Sequence, residues 1–265
     1  MSSNETYTGY HVIANTYDTF FTAHREWYQQ TRDSILAAIL PNAKTVCDIG
    51  CGTGYTAINI AKEGRKVFAV DVSSTMCELA RANAEKANVQ ISVVQADLQS
   101  FRLPEPADMV LAENAVLNHL ETKLGLAAVA DNISRALVPG GYFYFDANTR
   151  KIFQLAWAQW KGFAEQDGTV FVPHGGYDAA RDKGWLVADY FIRDGQDWRR
   201  VSERFEHVWW TQEEIQNTFE QAGFRTVCVV DASEKELNGK GVLPPGFITF
   251  YLFQKLGSNE PAPTA

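Results

Sequence analysis

A short run of residues between an apolar strand and a helix carries the clearest chemical signal in the chain. Residues 46–55 have the sequence VCDIGCGTGY, which predicts a buried strand, a tight turn and the first turn of a helix. The turn contains three glycines, Gly50, Gly52 and Gly54. Glycines of this kind let the backbone approach a ligand closely. A dinucleotide-binding turn would need a further glycine where Tyr55 stands, and Asp48 would repel a pyrophosphate. The turn therefore predicts a ligand that is cationic near Asp48.

Acidic residues stand at or near the ends of the predicted strands. They are Asp48, Asp71, Asp97, Glu113 and Asp146. Each one alone is explained equally well by a helix cap or a turn. Open α/β sheets bind ligands at the carboxyl edge of their strands, so the set predicts a crevice that suits hydroxyl and ammonium groups better than phosphates.

The elements that position these residues alternate between strand and helix. From Lys44 onward, the apolar runs KTVCDIG, RKVFAVDVS and VQISVVQAD are separated by helical stretches, and DMVLAEN, a helix near 121–137 and GGYFYFDAN follow. This alternation predicts a parallel sheet. Near the end, a helix over 211–222 with a capping box, Thr211 and Glu214, precedes two closing strands. The predicted fold class is α/β, with a doubly wound, mostly parallel seven-stranded sheet.

The stretch over 151–210 does not fit a strand-helix-strand step. Its runs TVFVPHGG, WLVADYFIRDGQDW and VSERFEHVWW predict antiparallel strands, with a turn at Asp194-Gly195. It is rich in aromatic residues, namely Trp157, Trp160, Phe163, Phe171, Tyr177, Trp185, Tyr190, Trp198, Trp209 and Trp210. We interpret it as a strand-rich lid that keeps the site dry and sorts substrates. The alternative is that these aromatic residues pack a small satellite sheet or form a dimer contact.

The pattern D-x-G-x-G-x-G from Asp48 to Gly54 resembles the first motif of the class I S-adenosylmethionine-dependent methyltransferases. The turn LVPGG at 137–141 resembles the segment that precedes the fifth strand in many members. An F-D-x-N-T segment at 145–149, followed by a strand-rich insertion, is similar to a bacterial branch that acts on small molecules. The resemblance implies a Rossmann-like methyltransferase fold, S-adenosylmethionine as the cofactor and methyl transfer to a small molecule.

The resemblance also implies cofactor-binding roles. Gly50, Gly52 and Gly54 would wrap the methionine part, with Asp48 near its end. Asp71 would bind the ribose hydroxyls, and Asp97 would meet the adenine amino group with Leu98 against the ring. The remaining residues assigned to the cofactor are Val72, Met76, Glu113 and Tyr17. Tyr17 belongs to a segment similar to the leading helices of these enzymes, and packing in the core is an equal alternative for it.

Catalysis in such a site needs orientation more than acid-base chemistry, because a sulfonium is already a methyl donor. Residues after the fourth and fifth strands would face both cofactor and acceptor, and they are Glu113, Asn114, Asn118, His119, Asp146 and Asn148. We expect His119 or Asp146 to position or deprotonate the acceptor. The alternatives are that the backbone satisfies a half-buried His119, and that Asp146 caps a helix starting near Asn148.

The expected organisation is a helical cap over 1–40 with a disordered start, a cofactor-binding core over 41–150, the lid over 151–210, the rest of the core over 211–256 and a disordered tail over 257–265. The polar composition of both ends is the reason for expecting disorder there.

Composition limits the partners. The formal charge of −8 disfavours nucleic acid. The chain has neither an apolar run of about 20 residues nor a secretory leader, so we expect no membrane and a cytoplasmic location. The four cysteines, the acids and the histidines, including His174 and His207, show no metal-ligand spacing, so we expect no metal and no covalent intermediate. A homodimer is left open.

Two other functions remain as alternatives. A nucleotide-dependent dehydrogenase is disfavoured by Tyr55 and by the lack of residues arranged for hydride transfer. A non-catalytic S-adenosylmethionine-binding subunit, regulatory or a partner of another protein, would carry the same glycine turn.

Overall fold

A computed structural model describes residues 5–8, 10, 14, 17–159, 162–231 and 246–257, with the backbone alone for residues 5–8, 17 and 19–24. The strands are β1 Glu5–Thr8, β2 Thr45–Ile49, β3 Lys66–Asp71, β4 Ser92–Gln95, β5 Ala107–Ala112, β6 Leu137–Asn148, β7 Ala164–Gln166, β8 Thr169–Asp178, β9 Lys183–Asp194, β10 Asp197–Val208, β11 Phe224–Asp231 and β12 Ile248–Lys255. The α-helices are α1 Tyr17–Ile35, α2 Tyr55–Lys62, α3 Ser74–Lys86, α4 Lys123–Ala136 and α5 Gln212–Gln221. Leu40–Asn42 and Val116–His119 are short 3-10 helices, and Ile152–Trp157 is a π-helix.

The main sheet has seven strands in the order β11-β12-β6-β5-β2-β3-β4. The pairs among β6, β5, β2, β3 and β4 are parallel, while β12 runs antiparallel to both β6 and β11. The predicted doubly wound, mostly parallel sheet is therefore confirmed. In this strand order the carboxyl ends of β2, β3 and β5 lie side by side, where a ligand crevice is expected.

Apolar cores lie on both faces of the main sheet. Strand β6 shows the period of two that this requires, because Phe143 and Phe145 belong to one cluster and Tyr144 belongs to the other. The first cluster includes Ile133 of α4 and Phe219 of α5, whereas α1, α2 and α3 cover the opposite face. The sheet is buried on both sides, which explains the almost continuous apolar runs in the sequence.

Side-chain caps mark the starts of two helices, and the second of them was predicted from the sequence. Ser73 precedes α3, and its side chain accepts a hydrogen bond from the Met76 amide. Thr211 and Glu214 form the capping box at the start of α5. The side-chain oxygens thus satisfy amide groups that a helix start otherwise leaves without partners.

The second sheet has the order β1-β10-β9-β8-β7. Strands β7 to β10 form antiparallel pairs, so the predicted strand-rich insertion is present. Strand β1 is the difference from expectation, since Glu5–Thr8 pairs in parallel with Val201–Arg204 where we expected a disordered start. Polar side chains do not prevent pairing at a sheet edge, because the backbone supplies the hydrogen bonds. The expected disordered tail over 257–265 lies outside the described residues from 258 onward.

None of the helices in the described part of the chain combines the length and apolar character that a membrane span requires.

Candidate active site

A cavity of about 650 Å³ opens at the carboxyl edge of β2, β3 and β5. Helix α1 contributes Arg25 and Tyr28 to its wall, and β10 of the second sheet contributes Arg204, Phe205 and Glu206. The cavity is therefore bounded by the main sheet, the leading helix and the insertion together.

The glycine turn after β2 lies at the floor of this cavity. Gly50, Gly52 and Gly54 all have positive φ, at 68°, 53° and 85°. A Cβ on Gly50 would lie 2.5 Å from Val116 Cγ2, and one on Gly54 would lie 3.1 Å from Ala80 Cβ, whereas one on Gly52 would meet nothing within 4 Å. Gly50 and Gly52 line the cavity and Gly54 does not. Packing thus requires Gly50 and Gly54, while Gly52 leaves space for a ligand.

Asp71 at the end of β3 holds the turn in place. Its Oδ2 accepts a hydrogen bond from the Gly52 amide and its Oδ1 accepts one from the Ser73 amide, each at 2.9 Å. Burial raises the pKa of Asp71, and the two amides partly oppose that shift. Asp71 also lines the cavity, so its carboxylate can meet a ligand hydroxyl while it organises the turn.

The cavity wall beyond Asp71 is apolar. Val72, Met76 and Leu98 line it, which fits a planar aromatic group lying between them. Asp97 is not part of the wall. It is exposed, and its Oδ1 accepts a hydrogen bond from the Gln99 amide at 2.7 Å, so it folds back on its own turn. That hydrogen bond uses only Oδ1, and contact between Asp97 and an adenine amino group stays a prediction.

Asp48 and Glu113 place two carboxylates at the other end of the cavity. Glu113 Oε2 accepts hydrogen bonds from Arg32 (3.1 Å) and from the Thr56 hydroxyl (2.7 Å). Asp48 Oδ2 and Glu113 Oε1 are buried and have no hydrogen-bond partner among the described residues. Burial, reinforced by Glu113, raises the pKa of Asp48 well above its usual range.

Two buried carboxylate oxygens without partners call for a donor or a cation. Arg32 pairs with Glu113 at 3.1 Å and favours the charged form of Asp48, but it donates to neither of these two oxygens. An ammonium group of a ligand would supply the missing charge and hydrogen bonds. The residues present therefore fit the methionine end of S-adenosylmethionine, and contact between Asp71 and its ribose stays a prediction.

His119 lies at the end of the 3-10 helix after β5 and lines the cavity. Its Nε2 is 3.1 Å from the Tyr10 hydroxyl and 3.1 Å from Nε2 of His207 in β10. Burial lowers the pKa of His119 to about 4 and that of His207 well below its usual range. Both rings are therefore neutral at pH 7. The partners of Nε2 are side chains, whereas the alternative interpretation had expected backbone groups.

Asp146 does not line the cavity. It is fully buried in β6 and accepts hydrogen bonds from Tyr28 Oη (2.9 Å), the Asn114 amide (2.6 Å) and the Ala115 amide (2.8 Å). These partners are not amides of a helix that begins near Asn148, and they favour a structural role for Asp146; its contact with the acceptor stays a prediction. Burial raises the pKa of Asp146 to about 7, against the three donors. Asp146 supports the loop that carries Glu113 and His119.

The aromatic residues that we assigned to a lid pack in several places. Trp157, Tyr177 and Trp209 pack with the cluster on one face of the main sheet, and Trp210 packs with the cluster on the other. None of those that the structure describes lines the cavity. Phe171 and Tyr190 form a small core with Phe205, whereas Phe163 and Trp198 are exposed. The part of the insertion that reaches the cavity is Arg204–Glu206. Trp160 and the side chain of Tyr17 lie outside the described residues.

Sequence reasoning missed three partners of the site. Arg32 and Tyr28 both come from α1, four positions apart, and therefore from one helix face. The spacing of four residues between Tyr28 and Arg32 was the feature of the sequence that could have identified them. Nothing in the sequence pairs His207 with His119 across 88 positions.

Comparison with known proteins agrees with this geometry. A methyltransferase-domain family model matches residues 46–141. YqeM of Bacillus subtilis, named as a methyltransferase, is 26% identical over 220 residues, which cover 82% of this chain and 86% of that protein. A dTDP-4-amino-2,3,4,6-tetradeoxy-D-glucose N,N-dimethyltransferase of Saccharopolyspora spinosa is 28% identical over 131 residues, covering 48% of this chain and 51% of that protein.

The fold has a close counterpart among solved structures. The crystal structure of an S-adenosylmethionine-dependent methyltransferase from Clostridium acetobutylicum matches with a TM-score of 0.76 and 19% identity, over 94% of this chain and 99% of that one. Residues 46–141 thus match a methyltransferase domain, and the whole fold is similar to that of S-adenosylmethionine-dependent methyltransferases.

Proposed function

We propose that the protein transfers a methyl group from S-adenosylmethionine to a small-molecule acceptor by direct in-line displacement. The observation that carries this proposal is a single continuous cavity. It runs from Asp71 and Leu98 past Asp48 to His119 and Phe205. A cofactor bound at one end would leave space for a small molecule beside His119.

The cofactor supplies a methyl group that its sulfonium already activates. The residues of the chain have to hold it and exclude water. Asp48 and Glu113 would bind its ammonium group, Asp71 its ribose, and Val72, Met76 and Leu98 its adenine ring. The turn at Gly50 and Gly52 allows the backbone to approach it closely.

His119 would position the acceptor instead of deprotonating it. A base with a pKa of about 4 holds a proton weakly at neutral pH, so proton abstraction from an ammonium group is unfavourable. A neutral imidazole at the cavity wall can still hydrogen-bond the acceptor and direct its nucleophile. Orientation of this kind contributes roughly 7 to 11 kcal/mol in well-aligned reactions. Asp146 acts indirectly, through the loop that it holds.

An amine that also carries hydroxyl groups is the acceptor class that we favour. The outer part of the cavity is lined by Glu121 and Glu206 together with Arg204 and the Tyr10 ring. Carboxylates and a phenol suit hydroxyl and ammonium groups better than an anion, although Arg204 pairs with Glu206. The relative from Saccharopolyspora spinosa, named for N,N-dimethylation of an amino sugar, supports this choice.

The test is an untargeted search for methylated metabolites. The protein is incubated with a cell extract and S-adenosylmethionine carrying a deuterated methyl group, and products are sought by mass spectrometry. We expect a labelled product that depends on the protein and is lost in Gly50→Ala, whose Cβ would clash with Val116. Cofactor binding by calorimetry without any labelled product would support the non-catalytic subunit instead.

A further inference from the structure

A buried chain of hydrogen bonds leads from Asn148 through His207 to His119. Asn148 Nδ2 lies 3.2 Å from His207 Nδ1, and His207 Nε2 lies 3.1 Å from His119 Nε2. Asn148 and His207 are both buried. The chain crosses from the end of β6 to β10 of the second sheet, and then back to the 3-10 helix at the cavity.

The backbone around this chain is firmly held. Asn118 is completely buried, and its Nδ2 donates to the carbonyl oxygens of Asn148 (3.2 Å) and Val208 (2.8 Å). Its Oδ1 accepts from the Asn148 amide at 2.9 Å. The rings of Trp157 and Phe153 pack on His207, with centroids 5.0 and 6.3 Å away. The side chains therefore have fixed places, and only the proton positions remain to be assigned.

The chemistry of the end group assigns those positions. An amide nitrogen only donates, so His207 Nδ1 must accept from Asn148 and carry no proton. A neutral His207 then carries its proton on Nε2 and donates it to His119 Nε2. The reverse order would point two N–H groups at each other between the buried side chains of Asn148 and His207. His119 Nε2 is thus an acceptor, and the Tyr10 hydroxyl can only donate to the same lone pair.

We propose that His207, held by Asn148, is a positioning residue that fixes the tautomer of His119 with its proton on Nδ1, so that His119 presents a hydrogen-bond donor to the acceptor. In the described part of the chain, Nε2 takes part in both hydrogen bonds of His119. Nδ1 is not among the buried atoms without a partner, and His119 lines the cavity. Nδ1–H is therefore accessible from the cavity.

This tautomer of His119 narrows the class of molecule that can accept the methyl group. This step rests on the proposed function. A donor fixed at Nδ1 selects an acceptor molecule with a lone pair at that place, such as a hydroxyl oxygen next to the nucleophile. Molecules that offer only an N–H or O–H donor there would leave two donors facing each other and bind less well.

The direct test is the ring-nitrogen NMR spectrum of the histidines in the ¹⁵N-labelled protein at pH 7, without acceptor. Nitrogen shifts distinguish protonated from unprotonated ring nitrogens. We expect His119 with a protonated Nδ1 and His207 with a protonated Nε2. The opposite tautomer of His119 would overturn the proposal, and this outcome does not depend on whether the protein methylates anything.

Two substitutions at the chain then separate tautomer control from packing. Asn148→Asp replaces the donor by an acceptor of the same shape, so His119 should move its proton from Nδ1 to Nε2. His207→Phe keeps a ring between Trp157 and Phe153 but removes the donor, whereas His207→Gln keeps an amide near the position of Nε2. The matched control is His174→Phe, because His174 is half exposed on β8 and does not line the cavity.

Kinetics with the identified acceptor give the second readout. We expect kcat/KM for the acceptor to fall roughly tenfold in His207→Phe, the scale of one lost hydrogen bond, with partial recovery in His207→Gln and no change in His174→Phe. Cofactor affinity should remain within about twofold of wild type throughout, because His207 does not line the cavity. An unchanged His119 tautomer in folded Asn148→Asp would overturn the proposal, as would equal losses in the Phe and Gln variants.

Discussion

The carboxylate of Asp146 in β6 accepts a hydrogen bond from the backbone amide of Asn114 at 2.6 Å, across 32 positions of sequence. Asn114 and its neighbour Ala115 both have positive φ, at 72° and 59°. Such a conformation costs an ordinary residue roughly 1–2 kcal/mol, so the loop needs an outside support. Asp146 supplies it, and the Tyr28 hydroxyl ties the same carboxylate to α1. The leading helix and the loop before His119 are thus joined through one buried acid.

The first prediction concerns the pH dependence of stability. Burial raises the pKa of Asp146 to about 7, while a carboxyl in the unfolded chain has a pKa of about 4. A raised pKa in the folded state means stability that is present below pH 4 and is lost as the pH rises through 7. The free energy of unfolding of the wild type relative to Asp146→Asn should therefore fall by up to about 1.4 kcal/mol per pH unit in this window.

Urea unfolding of both proteins between pH 5 and 8.5 measures this difference, and contributions of other groups cancel in it. Tyr28→Phe is the companion variant. It removes a donor that lowers the pKa of Asp146, so the fall should extend to higher pH. A difference between the wild type and Asp146→Asn that does not vary with pH would contradict the prediction.

The fold was predictable from local patterns because those patterns act within a few residues. The glycine turn, the capping box of Thr211 and the strand alternation each specify the local structure at their own position in the chain. The partners of Glu113 and Asp146 were not predictable in this way. Arg32 and Tyr28 come from a helix far earlier in the chain, and a single sequence does not say which helix face meets which loop. Asp97 shows the converse, since a motif position alone did not reveal that its carboxylate turns back to the Gln99 amide.

The second prediction compares alanine variants of two glycines, so that the effect of backbone strain is separated from the effect of contact with a ligand. Gly52 and Gly64 both have positive φ, and a Cβ on either would meet no atom within 4 Å, but only Gly52 lines the site cavity. Replacement by alanine should lower the free energy of unfolding by roughly 1–2 kcal/mol in both variants. Only Gly52→Ala should weaken S-adenosylmethionine binding, by roughly tenfold or more, because its methyl group occupies the ligand space. Calorimetry and urea unfolding check the pair, and equal affinities would remove Gly52 from the cofactor site.

The third prediction is that cofactor binding releases protons. Burial raises the pKa of Asp48 in the free protein, and a bound ammonium group next to its unpartnered Oδ2 would lower that pKa again. Cofactor binding should therefore tighten as the pH rises toward the pKa that Asp48 has in the free protein. Calorimetry in buffers of different ionisation enthalpy counts the protons that cofactor binding releases. Asp48→Asn is the control, because this variant can release only the protons that come from Asp71. Proton uptake, or the same release in the variant, would argue against Asp48 as the ammonium ligand.

The fourth prediction assigns acceptor selectivity, and little cofactor affinity, to the insertion. Phe205 of β10 lines the cavity and packs against the Tyr10 ring, with centroids 5.0 Å apart. Phe205→Ala should raise KM for the acceptor by roughly tenfold or more, since burying an aromatic ring contributes about 1.5–3 kcal/mol. The dissociation constant of the cofactor should stay within about twofold. Trp198→Ala, at an exposed position of the same strand, is the control for removing an aromatic residue, and a cofactor affinity that falls as steeply as acceptor binding would refute this division.

The last prediction distinguishes positioning from proton abstraction by His119. With a pKa of about 4, the ring is neutral throughout the physiological range, so kcat/KM should show no loss of activity near pH 6.5 that belongs to His119. His119→Ala should lower kcat at least tenfold, with cofactor affinity near that of the wild type, because an unheld acceptor seldom lies in line with the methyl group. His119→Asn keeps an amide nitrogen near the position of Nδ1 and should retain more activity than the alanine variant. Rates for both variants, measured from pH 5 to 9, are compared with the wild-type profile. A fall in kcat/KM below about pH 6.5 that is present in the wild type and absent from His119→Asn would show instead that His119 takes up a proton during the reaction.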